Sequence, residues 1–209
     1  SITKQYLNKN KIKSEALRII NKAEEKALQV KDSIVNTHDI KTNLIQYTHS
    51  RKYLTHVLTL FIMKRNQRLT LSKAKRLARL IFRESDKSNL HFLVISSILS
   101  NESNFKSNSI SHTNDFGIAQ VSKSLSLEFP DIDYERLLKD DKYSIGICGR
   151  YLRLLKSRFP NDDFFASRYH SSTPYYRKIY QKKQTSFIRD FNYYLEDYNY
   201  NKRSLASLE

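Results

Sequence analysis

The chain has 209 residues, enough to bury a substantial core, and its length fits one domain or one domain with an extension. Only 3 Gly and 3 Pro interrupt it, so helices are expected almost throughout; the single cysteine, Cys148, excludes an intramolecular disulfide, and the apolar stretch Val57–Met63 is far too short to span a membrane. Lys and Arg number 37 against 21 Asp and Glu, and this +16 charge attracts anions such as nucleic acid or lipid headgroups; plain composition accounts for such an excess too, and specific nucleic-acid recognition is not expected.

Residues 1–69 read as an added helical region. Ile12, Ala16, Ile19, Ala23, Ala27, Val30 and Ile34 recur at steps of three and four, which predicts one long amphipathic helix. A second is expected from about Ser50 to Arg65, with Leu54, Val57, Leu58, Phe61 and Ile62 on one face. The region has two readings, a partner-docking or substrate-guiding domain and a layer packed against the core, and the packing reading is the favoured one. A further helix starts near Thr70–Ser72, with Ser72 as N-cap and Ala74, Leu77, Ala78 and Ile81 facing inward. After a polar break at Asp86–Asn89, a helix over Leu90–Asn101 carries Glu102 to its mouth.

Ile95, Ile98 and Leu99 precede Glu102 by seven, four and three residues, which puts the carboxylate on the apolar face of that helix. Burial disfavours the charged form and raises a carboxyl pKa, the property a general acid needs. The alternative is a glutamate at a frayed helix end with its head in water. Residues 104–117 have no helical period, and Gly117 supplies a positive φ for a turn. Pro130 and Asp131–Asp133 mark a loop before a helix at about Tyr134–Lys139. Residues 143–159 form a helix with Cys148 as a small buried side chain, and Phe164–Tyr169 opens the next. From Tyr175 the chain is basic and aromatic. With no Trp present, ring stacking must use Tyr or Phe, and most of these aromatics are expected to pack inside.

Glu102-Ser103-Asn104-Phe105, Gly117-Ile118-Ala119-Gln120 and Tyr169-His170 resemble the E-S-x-F, G-L-M-Q and A-Y-N motifs of the lytic transglycosylases. A fourth stretch, Ser144-Ile145-Gly146-Ile147-Cys148-Gly149-Arg150-Tyr151-Leu152, is similar to the N-I-x-x-G-x-x-Y-L helix of that family, and Arg158-Phe159 follows as its usual end. The four occur in family order over roughly half the chain. Ala119 stands for the motif Met, leaving a smaller wall beside the sugar; Ser144 stands for Asn, Cys148 for the helix Gly and His170 for the last Asn. The variant looks like that of transglycosylases accompanying secretion or conjugation machinery. The loop Thr113-Asn114-Asp115-Phe116-Gly117 also resembles the T-D-Y-G loop of hen-egg-type lysozymes, whose Asp is the second catalytic carboxylate.

The resemblance implies an all-α domain, α+β at most, of lysozyme-like architecture with a small hairpin or loop, preceded by the added helical region. The expected limits are 1–69 for the extension, 70–185 for the catalytic domain and 186–209 for an aromatic basic tail. The implied substrate is bacterial peptidoglycan, whose acidic stem peptides suit the basic charge, and the implied place is the periplasm or cell envelope; residues 1–209 carry no signal-peptide pattern from which export is read. Glu102 is the implied acid and base. Ser103 binds substrate or holds the Glu102 carboxylate, Gln120 suits an N-acetyl group, Tyr169 brings its hydroxyl near Glu102, and His170, Asp115 and Ala119 line the sugar site. No metal or cofactor is implied. Two alternatives stay open: a lysozyme-type hydrolase using Glu102 and Asp115, and a catalytically dead helical structural or nucleic-acid-binding protein.

Overall fold

The computed structural model describes residues 50–206, with side chains through residue 201. The long helix expected between Ile12 and Ile34 lies outside the described residues. Ser50 accepts a hydrogen bond from the Tyr53 amide and starts α1, Arg51–Arg65. Thr70, not Ser72, caps α2, Leu71–Ser88, by accepting from the Lys73 amide. Both residues are of capping type, but the chain turns helical one residue after Thr70. Asn89 ends α2 in the left-handed conformation, so the break before the next helix is shorter and later than Asp86–Asn89. His91 then caps α3, Phe92–Ser103, its ring Nδ1 accepting from the Leu93 amide at 3.3 Å.

Next come β1, Asp115–Phe116, and β2, Val121–Ser122, which pair antiparallel with Asp115 opposite Ser122. A 3-10 turn, Lys123–Leu127, leads to α4, Tyr134–Lys139, and to α5, Asp141–Arg158, capped by Asp140. Phe165–Tyr169 is a second 3-10 turn and not the opening of a helix; α6 runs Pro174–Ala206. The mostly helical class with one small hairpin is thus the one expected.

α3 is the central helix, buried from Phe92 to Ser100. A helix apolar all round belongs inside, and its Ser96 and Ser97 hydroxyls are satisfied by the Phe92 and Val94 carbonyls. α2, α5 and α6 pack against it, and α1 packs on α2 and α6. On α1 the buried stripe is Leu54, Val57, Leu58, Phe61 and Ile62; on α6 it is Tyr180, Gln184, Phe187, Ile188, Phe191 and Leu195. These two stripes meet: the Phe61 ring lies edge-on to Phe187 and Phe191, with centroids 5.4 and 5.3 Å apart. The core therefore runs across both expected domain limits, 69/70 and 185/186. Packing on the core is what α1 does, and the aromatic tail is, in its described residues, the continuation of α6. Gly149 lets α5 approach α2, since a Cβ there would fall 2.1 Å from a Glu84 carboxylate oxygen. Among the described residues no helix is long and apolar enough to cross a membrane.

Candidate active site

The end of α3 is built to present Glu102. Asn104 and Phe105 are both left-handed, at φ 51° and 61°, and their amides turn back onto Leu99 and Ser100 carbonyls. For a residue other than Gly or Asn this conformation costs about 1–2 kcal/mol. Burying the Phe105 ring completely, beside Phe187, offsets it with about 2 kcal/mol. The turn is clamped from α1, where the Asn66 side chain donates to the Asn104 carbonyl at 2.8 Å and the Asn104 side chain donates to the Arg65 carbonyl at 3.1 Å. Glu102 is left on the last turn with its side chain 13% exposed, neither frayed into water nor sealed in.

Two rings from beyond α5 hold it there. Tyr180 of α6 donates its hydroxyl to Glu102 Oε1 at 2.6 Å. Burial, and then the Glu102 charge, push the Tyr180 hydroxyl well above the ordinary tyrosine value, so it stays a donor throughout the physiological range. His170 lies flat on the Tyr180 ring, with centroids 4.9 Å apart and planes at 7°, and its Nδ1 is 3.7 Å from the same Oε1. The Glu102 carboxylate beside it raises His170 above the usual histidine value, with burial and Lys183 acting the other way.

The hairpin forms the opposite wall. Gly117, at φ 75°, makes its turn; a Cβ there would fall 2.3 Å from the Leu137 carbonyl oxygen, so only glycine fits. Ser103 donates to the Ile118 carbonyl at 2.6 Å and to Leu99 at 3.2 Å, tying α3 to the hairpin rather than holding the Glu102 carboxylate. The Gln120 amide nitrogen donates to the Ser109 and Gly117 carbonyls, which leaves its carbonyl oxygen as the group able to meet a ligand. Tyr169 donates to the Ala119 carbonyl at 2.9 Å, so its hydroxyl braces the hairpin and the one reaching Glu102 is that of Tyr180. The Ala119 side chain is fully buried and walls no sugar site. Asp115 Oδ2 accepts from Ser111 and Thr113 hydroxyls at 3.0 and 2.6 Å.

A cleft of about 450 Å³ opens here, lined among others by Asp115, Gln120, Tyr151, Tyr169 and His170. Its two arginines are already paired, Arg158 with Glu128 at 2.7 Å and Arg168 with Asp162 at 2.8 Å. Glu102 is not among the lining residues; it stands behind His170, whose Nδ1 is 3.7 Å from its Oε1. Of the residues expected at the site, Glu102 and His170 come into direct contact, Gln120, Asp115 and Tyr169 line the cleft, Tyr169 while bracing the hairpin, and Ser103 and Ala119 serve the scaffold through the contacts given above. Tyr180 carried no expected role; its place on the buried stripe of α6, four residues before Gln184, with a polar tip, is the signal that finds it. Among the described residues no group of three or more His, Cys, Asp or Glu could hold a metal ion.

Fold and site together define a helical domain in which a carboxylate, bonded to a buried tyrosine, stands behind the His170 wall of a polar cleft. The family model described as the transglycosylase SLT domain matches residues 79–188, just over half of the chain, and the chain belongs to that family. Comparison with curated proteins gives no match. Among solved structures, an inactive mutant of the lytic transglycosylase Slt from Pseudomonas aeruginosa is similar at 18% identity with a TM-score of 0.47, over 56% of this chain and 24% of that one. The match thus spans about a quarter of the Pseudomonas protein's length.

Proposed function

We propose that this domain is a peptidoglycan lytic transglycosylase acting through Glu102. The observation that carries the reading is the Tyr180–Glu102 hydrogen bond behind the His170 wall of the cleft, which engages Oε1 and leaves Oε2 to work on substrate. Glu102 donates a proton to the glycosidic oxygen between N-acetylmuramic acid and N-acetylglucosamine. The substrate's C2 acetamido group stabilises the oxocarbenium-like carbon, so the protein need supply no nucleophile. Glu102, now a carboxylate, takes the proton of the sugar's C6 hydroxyl, which closes a 1,6-anhydro ring and returns the acid to its starting form. That hydroxyl outcompetes water because it is held at the reacting carbon. The Gln120 carbonyl suits an N–H of the sugar's acetamido group. Such a reaction belongs in the cell envelope, where the polymer is.

A hydrolytic course is the second reading, because Asp115 lines the same cleft. Its Oδ2 is taken up by two hydroxyls of its own loop, which favours a structural role. The test is Glu102→Gln with purified peptidoglycan. It keeps the shape, cannot cycle a proton, and is expected to release soluble fragments at least about a hundredfold more slowly. Near-normal release by that variant would sink the assignment.

A further inference from the structure

We infer that His170 and Glu102 work as one coupled acid–base pair, in which His170 is a positioning residue that stores the site's proton and sets the alkaline limit of activity; this rests on the glycan-cleaving role proposed for Glu102. The geometry is a convergence on one atom. Glu102 Oε1 takes the Tyr180 hydroxyl at 2.6 Å and faces His170 Nδ1 at 3.7 Å, an ion-pair distance that a small rotation turns into a hydrogen bond. The imidazole cannot wander, because it is stacked at 7° on the Tyr180 ring, whose face favours the imidazolium form. It is also 48% exposed at the wall of the cleft, so protons reach it from solvent.

The charged and titratable groups around His170 come from three elements. Glu102 on α3 and Asp115 on β1 favour its protonation; Lys183 on α6 and partial burial oppose it; the net direction is upward. Tyr180, also on α6, stays protonated and takes no part in the titration.

Groups this close share their protons and titrate as a pair. With one proton present, the pair is either carboxylate with imidazolium or carboxylic acid with neutral imidazole. Only the second arrangement can protonate a glycosidic oxygen. The proton passes between Nδ1 and Oε1, nothing is gained or lost, and the ratio of the two arrangements does not depend on pH. The acid-competent fraction is therefore constant while the pair keeps its proton. It declines only above the upper apparent pKa of the pair. An Asn at position 170, the residue of the motif that Tyr169-His170 resembles, hydrogen bonds but stores no proton. With Asn there, no second group holds the proton, and the alkaline limb begins at lower pH.

The test titrates the His170 imidazole by NMR in the whole protein and in Glu102→Gln, and compares pH–rate profiles of wild type and His170→Asn on peptidoglycan. The expected results are a His170 pKa lowered by about half a unit or more in Glu102→Gln, and an alkaline limb displaced to lower pH in His170→Asn. An unchanged His170 titration, or superimposable profiles, overturns the pair. Wild-type protein that cleaves no glycan at any pH overturns the proposed function and with it the alkaline-limit half of the inference, while the NMR titration still decides the pairing.

Discussion

The work of this site falls on a few atoms, and Tyr180 Oη is the one whose removal is most informative. Tyr180→Phe keeps the buried ring and its stack with His170 but deletes the 2.6 Å bond to Glu102. Loss of one preorganised donor should lower kcat about tenfold to a hundredfold with KM and melting temperature little changed; a variant with wild-type kcat would show that the bond does not position the acid. Asp115→Asn is expected to lower activity less than about tenfold and to leave the products as 1,6-anhydro sugars, because its carboxylate serves two loop hydroxyls. Product masses before and after the change check this. The half-buried position of Glu102 was legible in the sequence from its place on an apolar helix face, and the positions of His170 and Asp115 at the cleft from their motifs. Tyr180 was not, because its bond to Glu102 spans 78 residues and forms only when α6 docks on α3. Ser103 and Tyr169 show the converse: a motif names the residue, but the fold decides whether its hydroxyl turns to the cleft or to a backbone carbonyl.

At the scale of elements, the junctions carry the testable consequences. Burial lowers the His91 pKa to about 4, so its ring is neutral in the fold and able to accept from the Leu93 amide as the cap of α3. The unfolded chain protonates near 6.5 and the folded one near 4, so stability from this group is complete above pH 6.5 and lost as pH falls toward 4. The loss should reach about 3 kcal/mol. Urea unfolding of His91→Asn between pH 7 and 4.5 should show a flatter pH dependence than wild type, and an equal slope would remove His91 as the cause. Gly117→Ala must place a methyl group against the Leu137 carbonyl at positive φ and should cost about 2 kcal/mol or more, read as a lowered melting temperature. Periodicity located α1, whose apolar stripe is buried, and the loop residues Pro130 and Asp131–Asp133 marked the start of α4. The starts of α2 and α6 moved because several capping residues compete at Thr70–Ser72, and because Pro174, which lacks an amide hydrogen, suits a first helical turn better than the residues before it.

For the whole described molecule, one core joins α1, α3 and α6 and runs across the limits 69/70 and 185/186, because amphipathic spacing tells that a helix packs, not against what. Phe61 sits where α1 meets α6, and Phe61→Ala should cost about 3–5 kcal/mol and weaken the fold around Glu102 with it. Differential scanning calorimetry reads that loss, and a near-unchanged transition would show that α1 is an addition to the core and not part of it. The +16 charge adds a long-range term, so binding to intact peptidoglycan with its acidic stem peptides should weaken as salt rises. The central claim is that one carboxyl, Glu102, both gives and takes the proton, so that the substrate's own hydroxyl closes the ring. Mass spectrometry of the muropeptides released from purified peptidoglycan tests it most directly. The account predicts 1,6-anhydro products, one water lighter than hydrolytic ones, formed by wild type and not by Glu102→Gln; reducing-end products from wild type, abolished by Asp115→Asn, would contradict it.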